Sequence, residues 1–303
     1  VAKAKVKIVE VGLRDGLQNE STNLSVPQRF ALLEKLIAAG TKTFEVGAFV
    51  SPKWVPQMAV SQELTELVLN KYPDQKKFQS SVLVPNETGM SSALKTGIKE
   101  IAIFASCSET FSQKNINCSI EESFQRFEQI MKIAKKNKIK VRGYLSVCFG
   151  CPFEGEVPEK QVVALAKRLF KMGCYEISIG DTIGVATVNQ VNSLFKKLKK
   201  VVPMAKLAGH FHDTRGQALA NILEAYKVGV RVFDSSIGGL GGCPYAKGAT
   251  GNVSTEDVVY MFDGMNVATG LDINKLCEIN RWLEPQMNHA LSSRVGKVGK
   301  LKV

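Results

Sequence analysis

The chain has 303 residues, 45% of them hydrophobic, which is enough to bury a sizeable core in one large domain or two small ones. No apolar run reaches the length of a membrane span, and the start, Val1-Ala2-Lys3-Ala4-Lys5-Val6, has no signal-peptide hydrophobic region, so no membrane association is expected. The net charge of +12 would suit a phosphate-bearing substrate, but aromatic residues do not alternate with the lysines as on a nucleic-acid stacking surface, so no nucleic-acid partner is expected.

In chain order, apolar β-rich runs predict strands at Val6–Val11, Thr43–Val46, Phe78–Val84, Glu100–Phe104, Lys140–Cys148, Tyr175–Ile179, Lys206–Phe211 and Arg231–Ser235. Helical periodicity predicts helices at Val26–Ala39, Ser61–Lys71, Thr88–Lys95, Ile120–Lys136, Pro158–Lys171, Val188–Lys200, Gln217–Lys227 and Thr255–Phe262. Ser119-Ile120-Glu121-Glu122 has the form of a capping box, and Ser25-Val26-Pro27 puts proline in a first turn. Gly40, Gly97, Gly173 and Gly229 stand where helix C-caps require positive φ. Strand and helix alternate eight times over about 250 residues, the pattern of a (β/α)8 TIM barrel. A doubly wound sheet is disfavoured, because no G-x-G-x-x-G follows the first strand. The expectation is a single domain, 1–303, with the barrel over about 5–265. A C-terminal extension follows, with Asp272–Leu291 helical and Ser292–Val303 a mobile polar tail.

Seven scattered cysteines, an odd number, indicate reduced thiols rather than a disulfide framework. Cys148 and Cys151 form a C-x-x-C pair, but no second pair exists to complete a structural zinc site, so both are read as buried or loop thiols. A cytoplasmic location is expected, or the mitochondrial matrix if the chain is a processed eukaryotic form.

In such a barrel, chemistry gathers at the C-terminal ends of the strands. The first strand runs into Arg14 and Asp15, the second carries Glu45 near its end, and the sixth ends at Asp181. The seventh ends in His210-Phe211-His212-Asp213, and the eighth enters a glycine-rich stretch, 238–252, that holds Cys243 and ends on Asn252. So much glycine requires a loop, and loops of this length are usually functional. Alternate strand residues face one way, so His210 and His212 aim two imidazoles at one point while Asp213 points away. Asp15 is the best third metal ligand and Asn252 a plausible fourth. That donor set, completed by water, suits octahedral Mg2+ or Mn2+ better than tetrahedral zinc, although Cys243 leaves a zinc site open. Arg14 could stabilise developing negative charge, or could simply form a salt bridge with Asp15, Glu45 or Asp181. Glu45 and Asp181 could orient Arg14 or the histidines, and His289 is expected to be unrelated to the site.

Longer segments carry a resemblance. They are V-E-V-G-L-R-D-G-L-Q-N-E at 9–20, F-V-S-P-K-W-V-P-Q-M at 49–58, K-N-I-N-C-S-I-E-E-S-F-Q-R-F at 114–127 and G-C-Y-E-I-S-I-G-D-T-I-G-V at 173–185. H-F-H-D-T at 210–214 and G-L-G-G-C-P-Y-A-K-G-A-T-G-N at 239–252 complete the set. Together they resemble the 3-hydroxy-3-methylglutaryl-CoA lyases, within the metal-dependent barrel superfamily that includes isopropylmalate and homocitrate synthases. The resemblance implies Asp15, His210, His212 and Asn252 as metal ligands, Arg14 as the enolate stabiliser and Cys243 as a mobile-loop acid. It implies supporting roles for Glu45 and Asp181, an acyl-CoA substrate, a divalent metal with no organic cofactor, and a homodimer. The implied reaction is retro-Claisen cleavage to acetyl-CoA and acetoacetate, with Asp15 or His210 as the base. Arg215 departs from the family pattern, where a tyrosine commonly follows H-x-H-D-T. A condensing enzyme or aldolase could use the same metal and arginine, and Cys243 in its loop is the discriminating feature.

Overall fold

The computed structural model describes residues 4–242 and 251–299. Its strands are β1 (Lys7–Glu10), β2 (Thr43–Ala48), β3 (Gln79–Leu83), β4 (Glu100–Ser106), β5 (Lys140–Ser146), β6 (Glu176–Asp181), β7 (Leu207–Phe211) and β8 (Val232–Ser235). All pair in parallel and in sequence order, and β8 closes on β1 through four registered pairs from Lys7↔Val232 to Glu10↔Ser235. The alternation of strand and helix is therefore realised as a closed TIM barrel. Closure leaves no open strand edge and collects every strand's C-terminal end on one face.

The helices are α1 (Val26–Ala38), α2 (Ser61–Lys71), α3 (Glu87–Thr96), α4 (Glu109–Ile116), α5 (Ile120–Lys136), α6 (Glu159–Met172), α7 (Val188–Leu198), α8 (Ala218–Val228), α9 (Thr255–Gly264), α10 (Ile273–Leu283) and α11 (Arg294–Val298). Helix α5 shows why the sequence folds this way. Ser119 Oγ accepts the Glu122 N–H at 3.1 Å while Glu122 Oε2 accepts the Ser119 N–H at 2.7 Å, so two orphan donors are satisfied. Ile120, Phe124, Phe127, Ile130 and Ala134 recur at helical spacing and are buried against the barrel. Truncating a ring such as Phe127, 1% exposed, to alanine should cost about 3–5 kcal/mol. Helix α6 stops at Gly173, whose φ of 106° lies in the region that glycine alone enters without strain.

Three expectations change. Helix α4, Glu109–Ile116, lies outside the helices predicted from the sequence. It is short and begins where Ser108 Oγ accepts the Phe111 N–H at 3.1 Å. The helix expected over Asp272–Leu291 ends at Leu283, followed by a tight turn over Glu284–Gln286. Pro285 sits in that turn and cannot donate to a continuing helix. The tail from Ser292 is folded as far as residue 299 rather than mobile. Buried Asp257 needs donors, and it takes the Val295 N–H at 2.8 Å, the Arg294 N–H at 3.2 Å and the Ser293 hydroxyl at 3.2 Å. The two thiols of the C-x-x-C pair are buried as expected, with Cys148 Sγ 3.9 Å from Cys107 Sγ and Cys151 Sγ 3.0 Å from Ser108 Oγ.

Candidate active site

The chain leaves β1 through one wide helical turn, Gly12–Gly16, which carries Arg14 and Asp15. Glycine is required at both ends of the turn, because a Cβ at Gly12 would lie 2.6 Å from Glu10 Oε1 and one at Gly16 would lie 2.7 Å from Ser236 Oγ. Buried Glu10 fixes the turn to the β8 side of the barrel by accepting from Gly12 N (2.8 Å), Ile237 N (2.9 Å) and Thr255 Oγ1 (2.7 Å).

Arg14 is 5% exposed and clamped between carboxylates. Its Nε and Nη2 each lie 2.6 Å from Glu45 Oε2, its Nη1 lies 2.6 Å from Asp15 Oδ1, and its guanidinium carbon stands 5.4 Å from the Tyr144 ring centroid. Burial works against the charge, but Glu45 and Asp15 hold the guanidinium protonated. Burial opposes ionisation of Asp15 as well, yet Arg14 and the two imidazoles pull its pKa down to about 2. Glu45 is pushed upward, because burial outweighs the nearby cations.

His210 and His212 stand at the end of β7 with ring centroids 5.3 Å apart. Their Nε2 atoms lie 3.7 and 3.9 Å from Asp15 Oδ2. Ligand atoms of Asp15, His210 and His212 all fall within 4.8 Å of one another, a spacing that could hold one metal ion. Burial, then the neighbouring His210 charge, lowers the His212 pKa to about 4, which keeps it a neutral ligand. Its Nδ1 is buried with no hydrogen-bond partner among the described residues. Asn252 pairs with His212 through a backbone bridge and donates from Nδ2 to Asp15 Oδ2 at 2.8 Å. It therefore reaches the cluster, with its amide nitrogen rather than its oxygen toward Asp15. Two imidazoles and a carboxylate converging on one point fit a divalent ion by donor chemistry.

Three further residues support the cluster from the barrel lumen. Asp234 Oδ2 lies 3.2 Å from His210 Nδ1, and this carboxylate also accepts from Arg142 Nη2 (2.7 Å) and Ser178 Oγ (2.7 Å). Arg142 donates to Tyr144 Oη at 2.7 Å, and Tyr144 Oη donates to Glu45 Oε2 at 3.2 Å, so one network joins His210 to Arg14. Burial raises and Arg142 lowers the Asp234 pKa, and the cation wins. Sequence reasoning missed Asp234, Arg142 and Tyr144. The available signal was charge inside otherwise apolar strands: Arg142 in β5 and Asp234 in β8.

Asp181 ends β6, where burial raises its pKa to about 6. Its oxygens accept from Val185 N at 2.9 Å and Ala186 N at 3.0 Å, which shapes the loop before α7. Arg215 grips the same loop through the carbonyls of Ile183 and Gly184, both at 3.0 Å. Asp213 points away from the imidazoles and accepts from Ala218 N at 3.0 Å. Cys243 lies outside the described residues. The backbone on either side of it, at Gly241, Gly242, Gly251 and Asn252, borders the cluster. His289 is closer to the site than expected, since its Nε2 lies 2.6 Å from Glu20 Oε2 and Glu20 Oε1 accepts the Gly241 N–H at 3.2 Å. A cavity of about 220 Å³ opens over the cluster. Its lining includes polar side chains (Arg14, Asp15, Gln18, His210, His212) and apolar ones (Val50, Leu83, Phe104, Phe111).

Comparison with known proteins agrees over nearly the whole chain. A hydroxymethylglutaryl-CoA lyase of Pseudomonas aeruginosa, also named for 3-hydroxy-3-isohexenylglutaryl-CoA, is 48% identical over 97% of this chain and 96% of its own. The mitochondrial hydroxymethylglutaryl-CoA lyase of Homo sapiens is 49% identical over 97% of this chain and 89% of its own. The crystal structure of a P. aeruginosa hydroxymethylglutaryl-CoA lyase superimposes with a TM-score of 0.93 at 47% identity, covering 98% of this chain and 97% of that one. An Acinetobacter baumannii lyase solved with coenzyme A and 3-methylmalate gives 0.92 at 34% identity, covering 98% and 96%. The carboxyl transferase domain of Rhizobium etli pyruvate carboxylase, at 18% identity and a TM-score of 0.71, shares the fold alone. Residues 5–283 match the HMGL-like family, and the chain belongs to it.

Proposed function

We propose that the chain is a divalent-metal-dependent carbon–carbon lyase that cleaves 3-hydroxy-3-methylglutaryl-CoA to acetyl-CoA and acetoacetate. The observation that carries this reading is the convergence of Asp15, His210 and His212 beside Arg14, in a chain about half identical to named lyases along nearly its full length. Asp15, His210 and His212 would hold the metal, with Asn252 beside them. Oxygen and imidazole donors suit Mg2+ or Mn2+ better than zinc. When bound, such an ion lowers the pKa of the substrate's C3 hydroxyl and polarises the oxygens it chelates.

The chain's own residues supply the rest. A proton leaving the hydroxyl would pass to the Asp15 carboxylate, because His210 Nδ1 faces Asp234 at 3.2 Å and its Nε2 faces the proposed metal site. Breaking the C2–C3 bond leaves its electron pair on the thioester enolate, and the acetoacetate ketone forms from the hydroxyl-bearing carbon. Arg14 is set in advance to stabilise that enolate, because Glu45 and Asp15 fix its guanidinium before substrate arrives. Cys243 is the proposed donor of the proton that completes acetyl-CoA, and the glycine-rich loop is proposed to exclude water. The apolar lining residues suit the methylene-rich arm of an acyl-CoA.

All six described cysteines are free and buried, which fits a reducing compartment, the cytoplasm or the mitochondrial matrix. A homodimer is the proposed assembly, checked by light scattering. The function is tested by following acetoacetate from 3-hydroxy-3-methylglutaryl-CoA with and without added Mg2+ or Mn2+. Metal-dependent product supports the reading, and its absence under both metals refutes it.

A further inference from the structure

The backbone that precedes Cys243 is held from two directions. Asn19 Nδ2 donates to the Gly242 carbonyl at 3.3 Å, and the Gly241 N–H donates to Glu20 Oε1 at 3.2 Å. The second oxygen of Glu20, a residue 6% exposed, faces His289 Nε2 at 2.6 Å. His289 Nδ1 lies 2.9 Å from the Ala290 carbonyl, which fixes the ring. The segment that carries His289 is anchored next to the same loop. Ser292 N and Ser293 N donate to the Gly238 carbonyl at 3.0 and 3.2 Å, and Leu291 packs on Gly238.

Gly241 leaves no slack. A Cβ on it would lie 2.8 Å from Asn252 Nδ2, and one on Gly251 would lie 2.3 Å from the Gly241 carbonyl carbon. A shift of the Gly241 peptide is therefore felt at Asn252, which contacts Asp15. A charge-assisted pair is the strong form of such a tether, and it joins the far C-terminal segment to the active-site wall.

We propose that Glu20 and His289 together are positioning residues for the lyase reaction: the shared carboxylate sets the Gly241–Gly242 backbone against Asn252, which contacts Asp15. This rests on the lyase reading given above. The pair touches no reacting atom and acts through the loop.

The test compares Glu20→Ala, His289→Ala, the double variant and His289→Arg with the wild type. Three quantities are read: kcat and KM at saturating metal, the melting temperature, and the rate at which iodoacetamide labels Cys243. Labelling is readable whether or not the chain turns over, since the other cysteines are buried. Glu20→Ala should lower kcat about tenfold with KM within about twofold, as misplacement of a catalytic segment does. The double variant should be no worse than Glu20→Ala, because both side chains act through one carboxylate. His289→Arg, which restores a cationic donor, should recover most of the turnover lost in His289→Ala. Cys243 labelling should change by at least about threefold in the impaired variants. Unchanged kcat, with or without altered labelling, overturns the proposal. So does a loss of kcat that only tracks a loss of melting temperature and is not rescued by His289→Arg. A wild type that labels as described but makes no acetoacetate would instead refute the lyase reading.

Discussion

His210 Nδ1 lies 3.2 Å from Asp234 Oδ2, and this contact determines which ring nitrogen is left for Asp15. With Nδ1 occupied, Nε2 faces Asp15 Oδ2 at 3.7 Å, the orientation a metal ligand needs. Asp234 can hold that ring because Arg142 and Ser178 in turn hold Asp234.

Replacing Asp234 with asparagine should therefore weaken metal binding without removing a ligand. The expected loss is about 10–100-fold in affinity, the usual scale for an outer partner of a ligating histidine. Titration of the apo variant with Mn2+, with circular dichroism to check folding, reads it. Wild-type affinity in Asp234→Asn would mean that the contact does not orient the ring.

Arg14→Met should keep the metal and lose turnover on the order of 100-fold, because it removes a donor set in advance for the enolate. Glu45 then loses its cation inside the barrel and becomes protonated rather than remaining a bare charge. Near-normal kcat in this variant would leave Arg14 a salt-bridge residue only.

Cys243→Ser should retain metal and acyl-CoA binding and lose most turnover, because a hydroxyl is a far weaker acid than a thiol of pKa near ~8.5. Bound acyl-CoA should slow alkylation of Cys243 in the wild type. Loss of metal in Cys243→Ser would point to thiolate ligation and a zinc site. Full activity after complete alkylation would remove the thiol from the mechanism.

Two buried carboxyl groups at the root of the glycine-rich loop predict a pH dependence of stability. Burial raises Glu256 from 4.5 to about 8 and Glu10 from 4.5 to about 7. The native state then binds these protons more tightly than the unfolded chain does. Their contribution is present below pH 4.5 and is lost as pH rises to about 7 for Glu10 and about 8 for Glu256. The scale is about 1.4 kcal/mol for each unit by which a folded pKa is raised. Glu256→Gln can still accept from Gly238 N and Asn280, and it no longer titrates. Its melting temperature relative to wild type should rise between about pH 5 and pH 8.5. A difference independent of pH would show that Glu256 titrates normally in the fold.

The fold was legible because its signals are local. Helices α2 and α5 fall at the expected residues, since amphipathic spacing and caps are read within one segment. Asp15, His210 and His212 were legible once strand ends were assigned to one face. Arg142 and Asp234 were not, because they sit on β5 and β8, strands that do not pair and meet only across the barrel lumen. A charge inside an apolar strand is visible in sequence, but its partner is set by closure. The anchored tail was missed for a similar reason. Asp257 recruits Ser293, Arg294 and Val295 from 36 to 38 residues away, and no local pattern marks that demand.

Metal held by Asp15, His210 and His212 is what would make this chain a lyase. The direct measurement is acetoacetate formation from 3-hydroxy-3-methylglutaryl-CoA by metal-stripped protein, before and after Mn2+, for the wild type and for the His210→Ala/His212→Ala double variant. Metal should restore turnover in the wild type, and the folded double variant should show neither bound metal nor turnover. Wild-type turnover or metal content in that variant would contradict it.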